Sequence, residues 1–385
     1  MSPRKIAFLT GTRADFGKLK PLMRRVHSDP KFELHVFVTG MHMLSRYGST
    51  HEEVKKSGFI NIHLFMNQNS ADRMDHILAK TIIGLSDYVQ EIKPDLLIIH
   101  GDRVEALAGA SVGTLNNILV GHVEGGEVSG TVDELIRHAV TKLSHIHFVA
   151  NFDAETRLQQ LGERNDSIYV IGSPDIDVMN SSKLPALAEV QKRYGFDFSK
   201  YAVLLFHPVT TELKDLKRQT STIVDVLLNE PGNFVVIYPN NDHGTEIILE
   251  EYARIKANPR FRLYPSIRFE YFLSLLKHAK YIIGNSSAGV REAPHFGVPA
   301  VNLGSRQNNR VKHETVINAD VNKTSIQAAI LLAERAKFKP TSLFGDGRSA
   351  DLFHQLICSP EIWKLSTQKC FVDQVSIEES LQSSP

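Results

Sequence analysis

Carboxylates in this chain gather where strand patterns end. Residues 119–150, LVGHVEGGEVSGTVDELIRHAVTKLSHIHFVA, open with an apolar strand pattern over 119–123 and set Glu124 at its carboxyl end. Gly125 and Gly126 follow, then a polar turn over 127–130. Thr131 reads as a helix N-cap, with Glu134 three residues on as its capping-box partner. The helix it starts carries Asp133, Arg137 and His138, and a second strand pattern spans 145–149. Open α/β sheets build sites from such a strand, glycine turn and helix start. A solvated turn with charged flanks is the alternative reading of the stretch taken alone.

Other strand ends carry matching chemistry. The first ends in Gly11-Thr12-Arg13-Ala14-Asp15, where glycine lets backbone N–H groups approach a phosphate and Arg13 could clamp it; a structural Arg–Asp turn is equally open. A fourth ends in His100-Gly101-Asp102-Arg103, a charge pair over a cleft rather than on a solvated face. Further on, Phe206-His207-Pro208 puts a histidine at a strand end, where a structural role is the alternative. Residues 283–293, IGNSSAGVREA, turn from a strand through Ser286 and Ser287 into a helix start that suits an anionic phosphate. Glu292, on the first turns of that helix, could take ribose hydroxyls or simply complement the helix dipole. Arg306 adds a cation after the strand pattern 300–303. Spread over two halves of the chain, the set points to a nucleotide diphosphate in a cleft. Asn240, Asn241 and Asp242, after the strand pattern 235–238, could contact UDP or stay structural, and the structural reading is preferred.

The elements that must position these residues alternate. Strand patterns at 5–9, 33–38, 61–65, 95–99, 119–123, 145–149 and 167–171 are separated by helical stretches such as 18–26, 74–92 and 104–116. After a linker at 173–185, strands follow at 201–206, 233–238, 260–264, 281–283 and 300–303. Alternation of this kind predicts doubly wound parallel sheets, and 385 residues exceed one ordinary core. The tail from 351 carries a helical pattern, and residues 376–385 are polar.

Composition excludes several classes. Hydrophobic content of 42%, charged content of 23% and a net charge of +1 are those of a globular protein without an electrostatic case for nucleic acid or membrane. No apolar run approaches a signal h-region or a membrane span. Two cysteines, Cys358 and Cys370, make neither a disulfide framework nor a zinc spacing and suit a reducing cytoplasm. Despite 17 histidines there is no H-E-x-x-H pattern or carboxylate facial set, so no catalytic metal is expected. His145 and His147 alternate on a strand and read as packing. No nicotinamide fingerprint occurs, and no cofactor is expected.

In combination, GTRADFGKLKPL, HGDRVEALAGA, HVEGGEVSGTVDELIRHAVTKLSHIH, FHPVTTE and IGNSSAGVREAPHFGVPAVNLGSRQ closely resemble the hydrolysing UDP-N-acetylglucosamine 2-epimerases of bacterial sialic acid synthesis. They are similar also to the epimerase half of the animal bifunctional epimerase/kinase. The motifs run in order over residues 10–307. Non-hydrolysing epimerases share the fold but typically open with Gly-Thr-Arg-Pro-Glu and carry a His-Val-Glu-Ala-Gly-Leu-Arg block. Ala14-Asp15 and Gly125-Gly126-Glu127 here follow the hydrolysing branch.

The resemblance implies a GT-B fold of two Rossmann-like domains, at 1–175 and 176–360, with a helix and tail at 361–385 crossing back to the first. It implies a UDP-sugar in the cleft and anti elimination of UDP to 2-acetamidoglucal, followed by hydration to N-acetylmannosamine. Asp102, Glu124 and Asp133 match the catalytic carboxylates: Glu124 and Asp102 for proton transfer at C2, Asp133 for the hydration step. Their grouping is expected to raise at least one pKa by like-charge repulsion. Arg13, Arg103, His207, Ser286, Ser287 and Arg306 match the phosphate set, and Glu292 the ribose carboxylate. A homodimer or homotetramer through first-domain helices, 74–92 foremost, follows by the same analogy. Three rivals stand beside this reading: the hydrolase acting on UDP-2,4-diacetamido-2,4,6-trideoxyglucose in legionaminic acid synthesis, a GT-B glycosyltransferase, disfavoured because no acceptor region is evident, and a non-catalytic UDP-sugar binder.

Overall fold

The computed structural model describes residues 2–69, 72–129, 132–307 and 313–373. Among these, the first sheet comprises β1 (Arg4–Thr10), β2 (Phe32–Val38), β3 (Asn61–Leu64), β4 (Leu96–His100), β5 (Leu119–Val123), β6 (Ile146–Val149) and β7 (Ile168–Val170). The second comprises β8 (Ala202–Leu205), β9 (Phe234–Ile237), β10 (Phe261–Tyr264), β11 (Ile282–Gly284), β12 (Ala300–Leu303) and β13 (Val316–Ala319). All neighbours pair in parallel, in the orders β3-β2-β1-β4-β5-β6-β7 and β10-β9-β8-β11-β12-β13. Both orders reverse beside their first strand, so the loops after β1 and β4, and after β8 and β11, diverge and leave a crevice at the strands' carboxyl ends. The strands are near-continuous Val, Ile, Leu and Phe because helices cover both faces of each sheet.

The structure departs from the sequence reading in three places. The edge strand β13 was not foreseen: its pattern, Val-Ile-Asn-Ala, is only four residues long and mostly half-exposed. The linker at 173–185 contains a helix, Pro174–Met179, whose Ile176 and Met179 are buried in the second unit's core. The return to the first unit begins with the helix Ser349–Cys358, before residue 361: Ala350, Phe353 and Ile357 lie in the first sheet's core, with Phe353 edge-on to Phe8 and Phe148. The expected N-cap Thr131 falls outside the described residues, as does the tail 376–385. Glu134 accepts the Ser129 N–H at 2.6 Å.

The segment after that helix docks on the first unit through charge. Glu163 pairs with Lys142 at 2.8 Å, Lys369 at 2.5 Å and His147 at 3.0 Å, while His145 Nε2 bonds the Thr367 carbonyl at 2.9 Å. Burial alone would raise the Glu163 pKa, but the His147 hydrogen bond and the two lysines bring it down to about 2. His147 is itself driven towards neutrality by burial, so the standing positive charges are the lysines'. A depressed carboxylate stabilises fully above its unfolded value of 4.5 and loses that contribution as pH falls towards 2. A shift of this size corresponds to roughly 3 kcal/mol. Urea unfolding between pH 5 and 3 should therefore be less pH-dependent for Glu163→Gln than for the parent protein; equal slopes would contradict the assignment.

Candidate active site

The crevice contains a cavity of about 280 Å3 walled by both units. From the first unit come Arg13 after β1, His100, Asp102 and Arg103 at the end of β4, Glu124 after β5, and Asp133 at the start of the helix Val132–Leu143. From the second come His207 after β8, Asn240 and Asp242 after β9, Ser286, Ser287, Arg291 and Glu292 after β11, and Arg306 after β12. Every site residue singled out in the sequence lines this one cavity.

Glu124 is the most constrained of them. Its φ of 64° is left-handed, a conformation costing a non-glycine residue about 1–3 kcal/mol. Its N–H donates to the Phe148 carbonyl at 2.9 Å, which locks the turn against β6. Gly126 completes that turn at φ 74°; a Cβ there would lie 2.3 Å from the Ala154 carbonyl oxygen, so only glycine fits. Both carboxylate oxygens of Glu124 are engaged. Oε1 takes Arg291 at 2.6 Å and the Ser173 hydroxyl; Oε2 takes His100 at 3.0 Å and lies 3.9 Å from Lys18. Burial would raise its pKa, yet Arg291, Lys18 and His100 hold it well below the ordinary value. The like-charge elevation expected from the sequence is therefore absent at Glu124, because the cations beside it outweigh its carboxylate neighbours.

Those cations were not found by sequence reasoning. Lys18 is buried and bridges Asp175 at 2.9 Å and Glu292 at 3.2 Å. Arg291 is buried over the Phe344 ring and also pairs with Glu127 and, at 3.8 Å, Asp175. One legible signal existed: Lys18 falls on the apolar stripe formed by Leu19, Leu22, Met23 and Val26, where a solvated lysine has no place. Two cations, Lys18 and Arg291, face four carboxylates, Glu124, Glu127, Asp175 and Glu292.

Asp102 differs from Glu124. Its side chain is one-quarter exposed and is held by Arg137, whose guanidinium also donates to the Glu127 carbonyl at 2.9 Å. Asp133, about as exposed, meets Arg306 of the second unit at 3.0 Å. Arg103 links the units through Asn241 at 2.8 Å and Asp242 at 3.8 Å, and Arg13 does so through Ser266 at 2.6 Å while pairing with Glu53 at 2.8 Å. Asp15 closes a capping box with Thr12, which is the structural role its turn allowed. His207 accepts the Asn240 N–H on Nδ1 at 3.0 Å, and burial with Arg306 and Arg103 keeps it neutral. Its proton is therefore on Nε2, as a neutral donor.

The serine turn differs from expectation. Ser286 caps a short 3-10 turn, Ser287–Gly289, and the helix that follows is only Glu292–His295. So short a helix adds little dipole. Glu292 stands at that helix's first residue, with Oε1 on Lys18 and no hydrogen-bond partner for the buried Oε2 among the described residues.

Two doubly wound α/β units around one crevice that both line with carboxylates and cations define a GT-B-like enzyme. Residues 24–358 match the family model for UDP-N-acetylglucosamine 2-epimerase, and the chain belongs to that family. It is 49% identical over 374 residues to the UDP-N-acetylglucosamine 2-epimerase of Neisseria meningitidis serogroup B, covering 96% of this chain and 99% of that one. It is 34% identical to the hydrolysing UDP-N,N'-diacetylbacillosamine 2-epimerase of Legionella pneumophila, over 95% and 99% of the two chains. The fold is that of the Methanocaldococcus jannaschii UDP-GlcNAc 2-epimerase in complex with UDP-GlcNAc and UDP, with TM-score 0.78 at 20% identity, covering 92% of this chain and 99% of that one.

Proposed function

We propose that this protein is a hydrolysing UDP-N-acetylglucosamine 2-epimerase, converting UDP-N-acetylglucosamine and water to N-acetylmannosamine and UDP at the start of sialic acid synthesis. The observation that carries this reading is the meeting of Asp102, Glu124 and Asp133 with Arg103, His207 and Arg306 on one cavity. The 31% identity to the Escherichia coli polysialic acid biosynthesis protein P7, over 87% of both chains, supports the pathway. The diacetylbacillosamine enzyme is the second reading; 49% identity to the Neisseria protein against 34% to the Legionella one favours the first.

C2 of the sugar is not beside a carbonyl, so elimination supplies the chemistry. A base removes the C2 proton as the C1–O bond to UDP breaks, giving 2-acetamidoglucal. Water then adds at C1 while a proton returns to C2 from the opposite face. The surroundings of the three carboxylates support a division of roles among them. Glu124, ionised with both oxygens committed, acts as a fixed negative charge facing the oxocarbenium-like C1. Asp102, exposed to the cavity, takes the C2 proton. Asp133 serves hydration. Arg13, Arg103, Arg306, neutral His207, Ser286 and Ser287 hold the diphosphate, and Glu292 Oε2 accepts a ribose hydroxyl. Incubation with UDP-N-acetylglucosamine should yield UDP and N-acetylmannosamine in equal amounts; UDP release only from the 2,4-diacetamido sugar would select the second reading.

The same reading places the protein in the cytoplasm as a homodimer or homotetramer. Among the described residues no helix is long and apolar enough to cross a membrane. Ile83 on the helix Met74–Ile92 is 64% exposed, and Leu115 and Leu135 on the two following helices stand out likewise. Light scattering at micromolar concentration should report a multiple of 43.1 kDa; a 43.1 kDa species alone would reject the assembly.

A further inference from the structure

Away from the cleft, three potential metal ligands converge where the end of the chain meets its beginning. Asp29 caps the helix Arg13–Ser28, and His354 and Cys358 stand one turn apart on the helix Ser349–Cys358. Their ligand atoms lie within 4.8 Å of one another. We propose that Asp29, His354 and Cys358 form a binding site for a borderline-soft divalent cation, zinc foremost, which clips the returning helix to the first unit.

The arrangement is not that of a hydrolytic triad. Such a relay uses both ring nitrogens, one towards the nucleophile and one towards the acid. Here the single Nε2 of His354 faces both partners, Asp29 Oδ2 at 2.9 Å and Cys358 Sγ at 3.6 Å, while Sγ stands 3.7 Å from the same Oδ2. Three donor atoms aimed at one point are a coordination pattern. With Zn–S near 2.3 Å and Zn–N and Zn–O near 2.0–2.2 Å, a tetrahedral centre sets ligand atoms about 3.4–3.7 Å apart. Both distances from sulfur already meet that spacing, and the shorter His354–Asp29 contact opens once metal replaces the proton between them.

The surroundings orient the ligands. Oδ1 of Asp29 is held by the Lys31 N–H at 2.9 Å, which leaves Oδ2 to point at the cluster, as outer hydrogen bonds do for metal-bound carboxylates. The His354 ring packs edge-on to Phe32, itself stacked on Trp363. Cys358 is exposed, so a fourth ligand can be water. On binding, the Cys358 thiol loses its proton to solvent as the S–metal bond forms, and His354 binds through the Nε2 lone pair with its proton on Nδ1. A mixed S, N, O set suits zinc or cobalt over magnesium or calcium.

The test uses the full chain, reduced and stripped with chelator, titrated with Co(II) and then Zn(II). The expected result is one Co(II) per chain with sulfur-to-cobalt charge-transfer absorption, displaced by zinc. Cys358→Ser, a near-isosteric change at an exposed position, should abolish that absorption and weaken binding at least tenfold, while Cys370→Ser keeps both. Zinc should raise Tm in the parent and not in Cys358→Ser. Cobalt binding without the sulfur absorption, or equal metal affinity in the parent and Cys358→Ser, overturns the proposal.

Discussion

Glu124→Gln is expected to reduce release of UDP and of N-acetylmannosamine together, by roughly 10²–10³. Gln keeps the shape of the side chain and removes the charge proposed to face C1, so on that proposal the first step fails and nothing downstream can compensate. The fold should survive. Breaking a buried ion pair typically costs about 3–5 kcal/mol because a charge is left uncompensated, but Arg291 keeps Glu127 and Lys18 keeps Asp175. The loss in a denaturant melt should therefore fall below that range. UDP release within a factor of ten of the parent would contradict the role given to Glu124.

Asp133→Ala should separate the two halves of the reaction. UDP is released while hydration slows, so 2-acetamidoglucal accumulates and leaks, and UDP appears faster than N-acetylmannosamine. The ion pair predicts a second effect of opposite sign. Asp133 meets Arg306 at 3.0 Å in the protein as it stands, and its removal releases Arg306 wholly to the diphosphate. UDP should bind the variant more tightly, by roughly tenfold, the worth of one charge-assisted contact. Calorimetry and product mass spectrometry on the same preparation read both effects. UDP and sugar appearing in step in the variant would remove Asp133 from the hydration step.

Much of this was legible because the chemistry sits on strand ends and strand ends are marked. Glu124 follows the buried strand Leu119–Val123, and His100-Gly101-Asp102-Arg103 closes the apolar run 96–99; the fold carries both to the crevice. Burial of charge was not legible. Lys18, Glu124, Asp175 and Arg291 come from four distant segments, and a sequence does not state that their charges will meet. The expectation of a raised carboxylate pKa failed at Glu124 for that reason, since it counted neighbouring carboxylates and missed the cations between them. The helix Ser349–Cys358 shows the same limit at the level of packing. Its apolar pattern says that it is buried, but only the structure says that it lies against Phe8 and Phe148 rather than the second sheet. The edge strand β13 was missed because Val-Ile-Asn-Ala is only four residues long and shows neither clean alternation nor a continuous apolar run.

The central claim is that C2 loses its proton with departure of UDP and regains one from the solvent in a separate step. Turnover of UDP-N-acetylglucosamine in D2O, with mass spectrometry of the N-acetylmannosamine formed, tests it directly. The elimination account predicts one deuterium at C2 in every product molecule; product carrying protium at C2 would contradict it.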